Sequence, residues 1–496
     1  MTLHRIIGTE TEFGIAARDS DSNDPVSNSL LLINNYPYNI SSKVLWDYEN
    51  ENPLLDMRGF EAEGERERPG AEYNRLLNKL LLNGGRLYVD GAHPEYSTPE
   101  CTNARDLVIY EKAGERIMRE CQRLACRIKG GEKVLVYKNN TDGKGNSYGY
   151  HENYLVSRQV PLSRIINFLV PFLVTRQIYA GAGKARSESR ENREADIPYQ
   201  ISQRADFFES LVDLNTMVKR PIINTRDEPH ADRNKYRRLH IIVGDSNMSE
   251  YTTFLKVGTT SIAVSMMEEG LDLSGLELED PVSAIKEISG DTSLKKRVKM
   301  TDGRKLTPIE IQEEYLKKAH DFFANREIDS VSREILDKWE FVLRGLAKDP
   351  MSLSREIDWV IKKELLLSYM EKKGTDWNDP RIAMMDLQYH DIREDRGLYY
   401  ALEKDGYVER LISNSEIERG EELPPSDTRA YFRGMCLKKF PKDVYAASWS
   451  SILFEAGDST IKRVQLMEPL RGNESLTKRI IEESSTVEEL LNRLAT

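Results

Sequence analysis

Three short runs carry ionisable and metal-ligating side chains at alternate positions, the spacing that puts residues on one face of a β-strand. In Arg86-Leu87-Tyr88-Val89-Asp90, Arg86, Tyr88 and Asp90 share a side, while Leu87 and Val89 turn to the core. In Gly8-Thr9-Glu10-Thr11-Glu12, Glu10 and Glu12 share a face; in Arg238-Leu239-His240-Ile241-Ile242, Arg238 and His240 oppose Leu239 and Ile241. Glu95 follows Asp90 closely, inside His93-Pro94-Glu95-Tyr96. One such strand is ordinarily just a solvated face, but three in one chain point to a sheet whose polar side is a site. As sheet neighbours, Glu10, Glu12, Asp90 and Glu95 would raise one another's pKa unless a cation neutralised them. Hard oxygen ligands with one or two imidazoles suit Mg2+ or Mn2+ better than zinc. Arg86, Arg226 and Arg238 suit phosphate oxygens. Carboxylates, metal, phosphate and arginine together describe a nucleotide site.

The usual nucleotide motifs do not supply that site. Gly181-Ala182-Gly183-Lys184-Ala185 lacks the P-loop spacing, and its lysine is followed by Ala in place of Ser or Thr. The Gly-rich run at 142–149 reads as a tight turn, and no GxSxG elbow is present. Cys101 and His93 allow a Cys–His amidohydrolase, against the plainer reading of Cys101 as a small buried hydrophobe. The chain has 496 residues, 82 Asp+Glu against 71 Lys+Arg, a net charge of −11, and 4 Cys without paired short spacing. That balance argues against a nonspecific nucleic-acid binder, and the cysteines against a disulfide scaffold or CxxC zinc site. The apolar run at 165–174 holds Asn167 and Pro171 and is about half the ~20 residues that span a bilayer. With acids at the N-terminus where a signal peptide is apolar, a soluble, cytoplasmic chain with no membrane or nucleic-acid partner is expected.

These residues need elements to hold them. Up to about Ser265 the chain shows short β-like runs, among them 5–15, 86–90, 133–138 and 238–244, separated by Gly, Asn and Asp. From Thr307 to Gly374 it reads as helix: Thr307-Pro308-Ile309-Glu310 is an N-cap, a Pro at N1 and a capping-box acid, and Val331, Ile335, Trp339 and Val342 have helical spacing. A last helix is expected from Ser485 with Glu488 as its capping acid, presenting Leu490, Leu491 and Leu494. Pro424-Pro425 marks a boundary between units 1–423 and 424–496. The polar stretches 47–74 and 183–196 read as exposed loops, the second as a disordered insertion and the first either as that or as a functional lid.

GTETEFGI (8–15), RLYVDGAHPEYSTPEC (86–101), YKNNTDGKGNSYGYHENYLVSRQ (137–159), NTRDEPHAD (224–232), RRLHIIVGDSN (237–247), LKVGTT (255–260) and DTRAYFRG (427–434) together resemble the family of Pup ligases and Pup deamidases, where Pup is the prokaryotic ubiquitin-like protein. That family is one of the glutamine-synthetase-like carboxylate–amine ligases. The resemblance implies an α+β fold, with a large domain whose curved antiparallel sheet is backed by helices and a small C-terminal domain. It also implies an ATP- and Mg2+-dependent amide hydrolase that converts the C-terminal Gln of Pup to Glu and cleaves the Pup–lysine isopeptide bond. The alternative within the group is the Pup–protein ligase, or another ATP-dependent carboxylate–amine ligase. The stretch around 45–74 resembles a loop of the deamidase branch, and the Asp90–Glu95 spacing is that branch's; Gly91 departs from the His expected there. By resemblance Asp90 is catalytic; Glu10, Tyr88 and Glu95, with Glu12 and His240, bind Mg2+ or Mn2+. Arg86, Thr98 and Trp449, with Arg226 and Arg238, contact ATP or ADP plus phosphate. His151, Ser202 and Arg204 are further candidates near the site. The expected partners are Pup and pupylated proteins, with a functional link to the bacterial proteasome.

Overall fold

Alternation of polar and apolar residues does build strands here, and antiparallel pairing gathers them into one sheet. A computed structural model of the protein describes residues 5–17, 24–38, 43–64, 68–129, 134–188, 197–457 and 460–495. Its main sheet has six strands: Ile7–Glu12 (β1), Asn78–Leu80 (β2), Arg86–Asp90 (β3), His93–Ser97 (β4), Tyr150–Ser157 (β5) and Tyr236–Ile241 (β6). Their order is β6-β5-β1-β4-β3-β2, every neighbour antiparallel. Glu10 lies opposite Ser97 on one side and His151 on the other; Glu12 and Tyr88 both face Glu95, Arg86 faces Ser97, and His240 faces Asn153. Paired residues point to the same side of a sheet, so this register sends every ionisable side chain of the three runs to one face.

The opposite face is the core. Leu87, Tyr96, Tyr154, Leu239 and Ile241 are buried there, under helices Ala104–Lys129 (α1) and Glu250–Glu268 (α2). Gly114 of α1 allows this approach, since a Cβ there would lie 2.1 Å from the Tyr96 ring. Buried carboxylates on this face are paired: Glu111 accepts from Lys138 Nζ (2.9 Å) and Tyr150 OH (2.7 Å), and Glu152 accepts from Arg176 Nη1 (2.9 Å). Buried charge so matched avoids the large cost of an unpaired ion.

Several sequence expectations are met. Strand Val134–Tyr137 falls within 133–138, whose Lys133 lies outside the described residues. The capping box Thr307–Glu310 starts helix Pro308–Phe323, and Ser330–Lys348 follows with Asp329 as its N-cap. Others are corrected. The first half is not chiefly strand: α1, α2 and Leu162–Thr175 are long helices in it. α2 is rich in the β-branched residues Thr, Val and Ile, and burial overrides that weak helical propensity. The final helix is Val487–Ala495. Its cap is Thr486, whose Oγ1 accepts from Glu489 N, while Glu488 accepts from Gly457 N instead. Leu490 is buried, with Leu491 and Leu494 against the same cluster. The stretch 183–196 is not all exposed loop: Lys184–Ala185 pairs with Tyr199–Gln200, and Lys184 is buried against Asp206 (2.9 Å). Residues 189–196 of that stretch lie outside the described residues. Among the described residues no helix is long and apolar enough to cross a membrane.

A second sheet of Val444–Ala447, Ser451–Ala456 and Thr460–Gln465 is antiparallel, and Leu45–Trp46 adds a parallel edge strand to it. Its core joins Phe432, Ile452, Phe454 and Leu490 to Trp46, Leu80 and Leu82 from the first hundred residues. Glu100 ties this layer to the main sheet, accepting from Arg429 Nε (2.7 Å) and from Arg433. Burial opposes its charge, but Arg433 and Arg429 hold the carboxyl down at about 2. Against an ordinary value near 4.3 this corresponds to about 3 kcal/mol, fully present above that value and lost as pH falls through it toward 2. Glu100→Gln is therefore expected to lower the thermal midpoint at pH 7 and to flatten its dependence on pH between about 4.5 and 2; equal acid sensitivity of variant and parent in calorimetry would contradict this.

Candidate active site

The polar face opens into a cleft of about 420 Å3, and Glu10, Glu12, Arg86, Tyr88, Asp90 and His240 are in its wall. A recess of about 80 Å3 adjoins it and shares Glu10, Arg238 and Trp449. Two triads lie within the cleft, each with ligand atoms mutually within 4.8 Å: Glu10, His151 and His240, and Glu12, Asp90 and Glu95. The first is laced together by Glu10 Oε2 with His151 Nδ1 (3.1 Å), Asn153 Nδ2 donating to Glu10 Oε1 (2.9 Å), and Arg238 Nη1 donating to Glu10 Oε1 (3.3 Å). His240 Nδ1 lies 2.8 Å from Asn153 Oδ1. If that nitrogen carries the proton, Nε2 is the lone-pair atom, the arrangement that fixes a metal-binding imidazole.

Electrostatics separates the acids. Burial opposes ionisation of Glu10, but the His151 hydrogen bond and the charges of His240 and Arg238 hold it well below the usual carboxylate range. Burial pushes Glu95 well above that range, and Asp90, Glu10 and Glu12 push it further. Its Oε1 accepts from Tyr88 OH, whereas Oε2 is buried with no hydrogen-bond partner. An orphaned carboxylate oxygen among three more acids is what a hard cation would satisfy. Asp90 is exposed at the open end of β3, at the mouth of the cleft; partial desolvation there, then Glu12, raises it, while His151 and Arg226 oppose. Gly91 begins the two-residue turn from Asp90 to His93 with φ 56°, a left-handed conformation that suits glycine better than the His expected there. Burial and Arg238 lower His240 well below its usual value, while Glu10 opposes them.

Facing the acids is an arc of arginines. The Arg86 guanidinium sits 3.9 Å from the ring centroids of both Trp46 and Tyr88, and its nearest carboxylate, Glu51, is at 3.9 Å. Arg204, Arg220 and Arg226 line the cleft and make no ion pair with any described residue. Three cations without counter-ions in a partly enclosed cleft form an anion site. Trp449 borders both spaces, edge-on to Trp46 at 5.3 Å. Thr98 lies in the smaller recess, where its Oγ1 accepts from Thr9 N (3.0 Å).

Two candidates sit apart from the cleft. Ser202 is buried and donates to Asp245 Oδ1 (2.8 Å), and its Oγ accepts from the backbone of Arg204 and Ala205, so it supports Arg204 from behind and is not on a surface strand. Cys101 is fully buried, burial pushes its thiol up, and it does not line the cleft. Sequence reasoning missed Asn153, Glu228 and Arg220. Asn153 had a signal: it lies two residues beyond His151 on β5, hence on the same face.

The stretch from Asp47 to Phe60 is an ordered strap over the cleft. Asp47 accepts from Ser451 Oγ (2.6 Å) and pairs with Arg463. Further on, Asn52 N donates to Glu228 (2.6 Å), Thr225 Oγ1 to Asp56 (2.6 Å) and Met57 N to Thr225 O (2.8 Å). Residues 65–67 of the longer loop lie outside the described residues.

A sheet that presents acids and imidazoles to a cleft lined with unpaired arginines is the working surface of an enzyme for ionised substrates. Comparison with known proteins narrows that class. Residues 5–453 match the Pup-ligase protein family. The depupylase of Acidothermus cellulolyticus is 45% identical over 99% of both chains, and the Pup deamidase/depupylase of Mycolicibacterium smegmatis is 43% identical over 99% of this chain and 100% of its own. A Pup–protein ligase of a Nocardioides species is 44% identical but covers 83% of this chain and 91% of its own. Among solved structures, the complex of Pup with its ligase PafA superposes with a TM-score of 0.81 at 33% identity, covering 99% of this chain and 94% of that one. The ligase PafA with ADP gives 0.75 at 37%, covering 82% and 89%. The chain belongs to the Pup-ligase protein family.

At its far end the strap is held chiefly through Asp56, which accepts from Thr225 Oγ1 and from Arg58 N (2.8 Å). Asp56→Ala is expected to raise amide hydrogen exchange at Met57 and Arg58 about tenfold, the scale of one or two lost hydrogen bonds. Unchanged exchange there would show that the strap is held by other means.

Proposed function

We propose that this cleft hydrolyses carboxamides on Pup: it deamidates the C-terminal Gln to Glu and cleaves the isopeptide bond between Pup and a substrate lysine. The observation that carries the reading is the presence in one cleft of Asp90, exposed to an incoming substrate and raised by partial desolvation and by Glu12, with Arg204, Arg220 and Arg226, which make no ion pair with any described residue. Similarity over nearly the whole chain to a depupylase and a Pup deamidase/depupylase supports the hydrolytic branch, as does the strap over the cleft. The ligase reading shares the acids and arginines, but that relative covers less of the chain.

The reaction adds water across the amide. Asp90, as general base, takes a proton from water as its oxygen adds to the amide carbon; the C–N bond then breaks and the nitrogen leaves protonated as ammonia or lysine amine. Asp90 acting directly as the nucleophile, with water then hydrolysing the resulting anhydride, uses the same residue. A carboxylate with a raised pKa is the stronger base and nucleophile near neutral pH. Glu10, Glu12, Tyr88, Glu95 and His240 would hold Mg2+ or Mn2+, and Arg86, Arg226, Arg238, Thr98 and Trp449 would hold ATP or ADP plus phosphate. His151, hydrogen-bonded to Glu10, adds a further imidazole to that set. When bound, the metal would supply positive charge that stabilises the developing oxyanion. Residues 424–496 are read as a small unit that brings Trp449 to the nucleotide. The protein would work in the cytoplasm, beside the bacterial proteasome, on pupylated proteins.

Asp90→Asn is expected to abolish the Gln-to-Glu mass change in Pup and the release of Pup from a conjugate, while nucleotide binding measured by calorimetry is retained. Deamidation at the parent rate by this variant would overturn the assignment. Formation of conjugate in place of its release, with Pup ending in Glu, would favour the ligase.

A further inference from the structure

Arg220 is the cleft arginine that neither the sequence nor the proposed nucleotide site uses. It starts the strand Arg220–Asn224, and the turn before it is built to aim it. Asn215 Oδ1 accepts from Met217 N (2.8 Å) and Val218 N (3.1 Å), and Lys219 takes a left-handed φ of 50°. That conformation is costly for a side chain with a Cβ and is kept where the surrounding structure enforces it. The result leaves Met217 and Val218 73% and 65% exposed, Met217 at the rim of the cleft, and places Arg220 in the cleft wall. The guanidinium is then fixed from one side: Nη2 donates to Ser147 O (2.8 Å) and Nε to Thr216 O (3.0 Å). Neither partner is charged, and no described carboxylate comes within ion-pair distance.

Its neighbours make that cation stand out. Burial, then the charge of Arg220, depresses the fully buried Arg204 to about 10, so the two guanidiniums feel each other. Glu12 partly offsets both, and the same Glu12 acts on Asp90. Ser147, whose carbonyl Arg220 holds, is two residues from Gly149, whose N donates to Glu12 Oε2 (2.6 Å), so Arg220 sits on the Glu12 side of the reacting carboxylate. An anion brought there with the substrate would relieve the repulsion between the arginines.

We propose that Arg220 binds the free α-carboxylate of the C-terminal residue whose side-chain amide is cut. This rests on the amidase reading above, and it names what selects the terminal residue. In a C-terminal Gln, or a Glu in isopeptide linkage, the α-carboxylate lies about 5 Å from the scissile carbonyl carbon when extended, from standard bond lengths. An internal Gln has a neutral peptide group at that position, and a polar site left unpaired rejects the wrong substrate strongly. The anion could instead be a phosphate oxygen, and the test separates the two.

Pup ending in Gln is compared with the same Pup carrying a C-terminal α-carboxamide, with parent protein, Arg220→Met and Arg220→Lys, each checked by thermal melting. The parent is expected to favour the free carboxylate by about 100-fold in kcat/KM, mostly through KM. Arg220→Met should bring that ratio near one by losing only the carboxylate substrate, and Arg220→Lys should restore part of it. Equal slowing of both substrates by Arg220→Met overturns the proposal. So does a tenfold loss of ADP affinity in calorimetry with the discrimination intact, which would assign the anion as phosphate. If Arg220→Met does not fold, Arg220→Lys with undiminished discrimination and weakened ADP binding overturns it equally. If the parent converts neither substrate, the amidase reading itself has failed.

Discussion

Antiparallel register is the constraint on which the rest of the structure depends. β1 lies inside the sheet, and its pairing with β4 and β5 sets Glu12 against Glu95 and Glu10 against His151. A slip of one residue would turn Glu10 and Glu12 toward the helices and expose Thr9 and Thr11. The apolar alternates on each strand pay for this alignment, because Leu87, Tyr96, Leu239 and Ile241 can be buried in this register alone. The hydrophobic core thereby holds a cluster of like charges that would otherwise move apart.

Charge burial on the two faces follows different rules. On the core face charges are paired or hydrogen-bonded: Glu111 meets Lys138, Glu152 meets Arg176, and Lys256 donates to Asp245 O and Asn247 Oδ1. On the cleft face the match is incomplete: Arg238 pairs with Glu10 and Glu228, but Glu12, Asp90 and Glu95, and Arg204, Arg220 and Arg226, make no ion pair with any described residue. Such incomplete matching is destabilising in the free protein: burial, then Asp90, Glu10 and Glu12, drives Glu95 upward, and burial, then Arg220, drives Arg204 downward. Such frustration is the signature of a surface completed by something else, a cation for the acids and anions for the arginines. The amphoteric cleft also explains why a chain with a net charge of −11 can be adapted to anionic ligands: the local arginines decide, and the global sum does not.

The parts legible in the sequence were those that local periodicity encodes. Alternation assigned the polar face of β1, β3 and β6 residue by residue, and the Thr307–Glu310 box marked a helix start. What stayed hidden depends on tertiary contact. α2 has too many β-branched residues to announce itself, and its helicity comes from burial on every side. Arg220 follows a polar turn and has no alternating partner; only the fold carries it beside Arg204. Ser202 shows the converse: close in sequence to Arg204, it supports that arginine from behind. The last helix shows how small the margin is, since Ser485/Glu488 and Thr486/Glu489 have the same spacing and Gly457 takes up Glu488.

The strap links these layers. It begins on the second sheet, where Leu45–Trp46 pairs beside Val444–Ala447, and ends on the segment that carries Arg226 and Glu228. Trp46 stacks on Arg86 and touches Trp449 at its root, while its indole donates to Glu51 Oε1 (2.6 Å) inside the cleft. One continuous stretch thus touches the second sheet, the aromatic cradle of Arg86 and, through Glu228, the Arg238 that holds Glu10. Moving the strap would release Glu228 toward Arg238 and leave a buried carboxylate without its Asn52 donor, so its position and that of the arginines are coupled by the cost of unpaired charge. A cleft with incompletely matched charges needs such coupling, because the same groups that attract ligands repel one another when the cleft stands open.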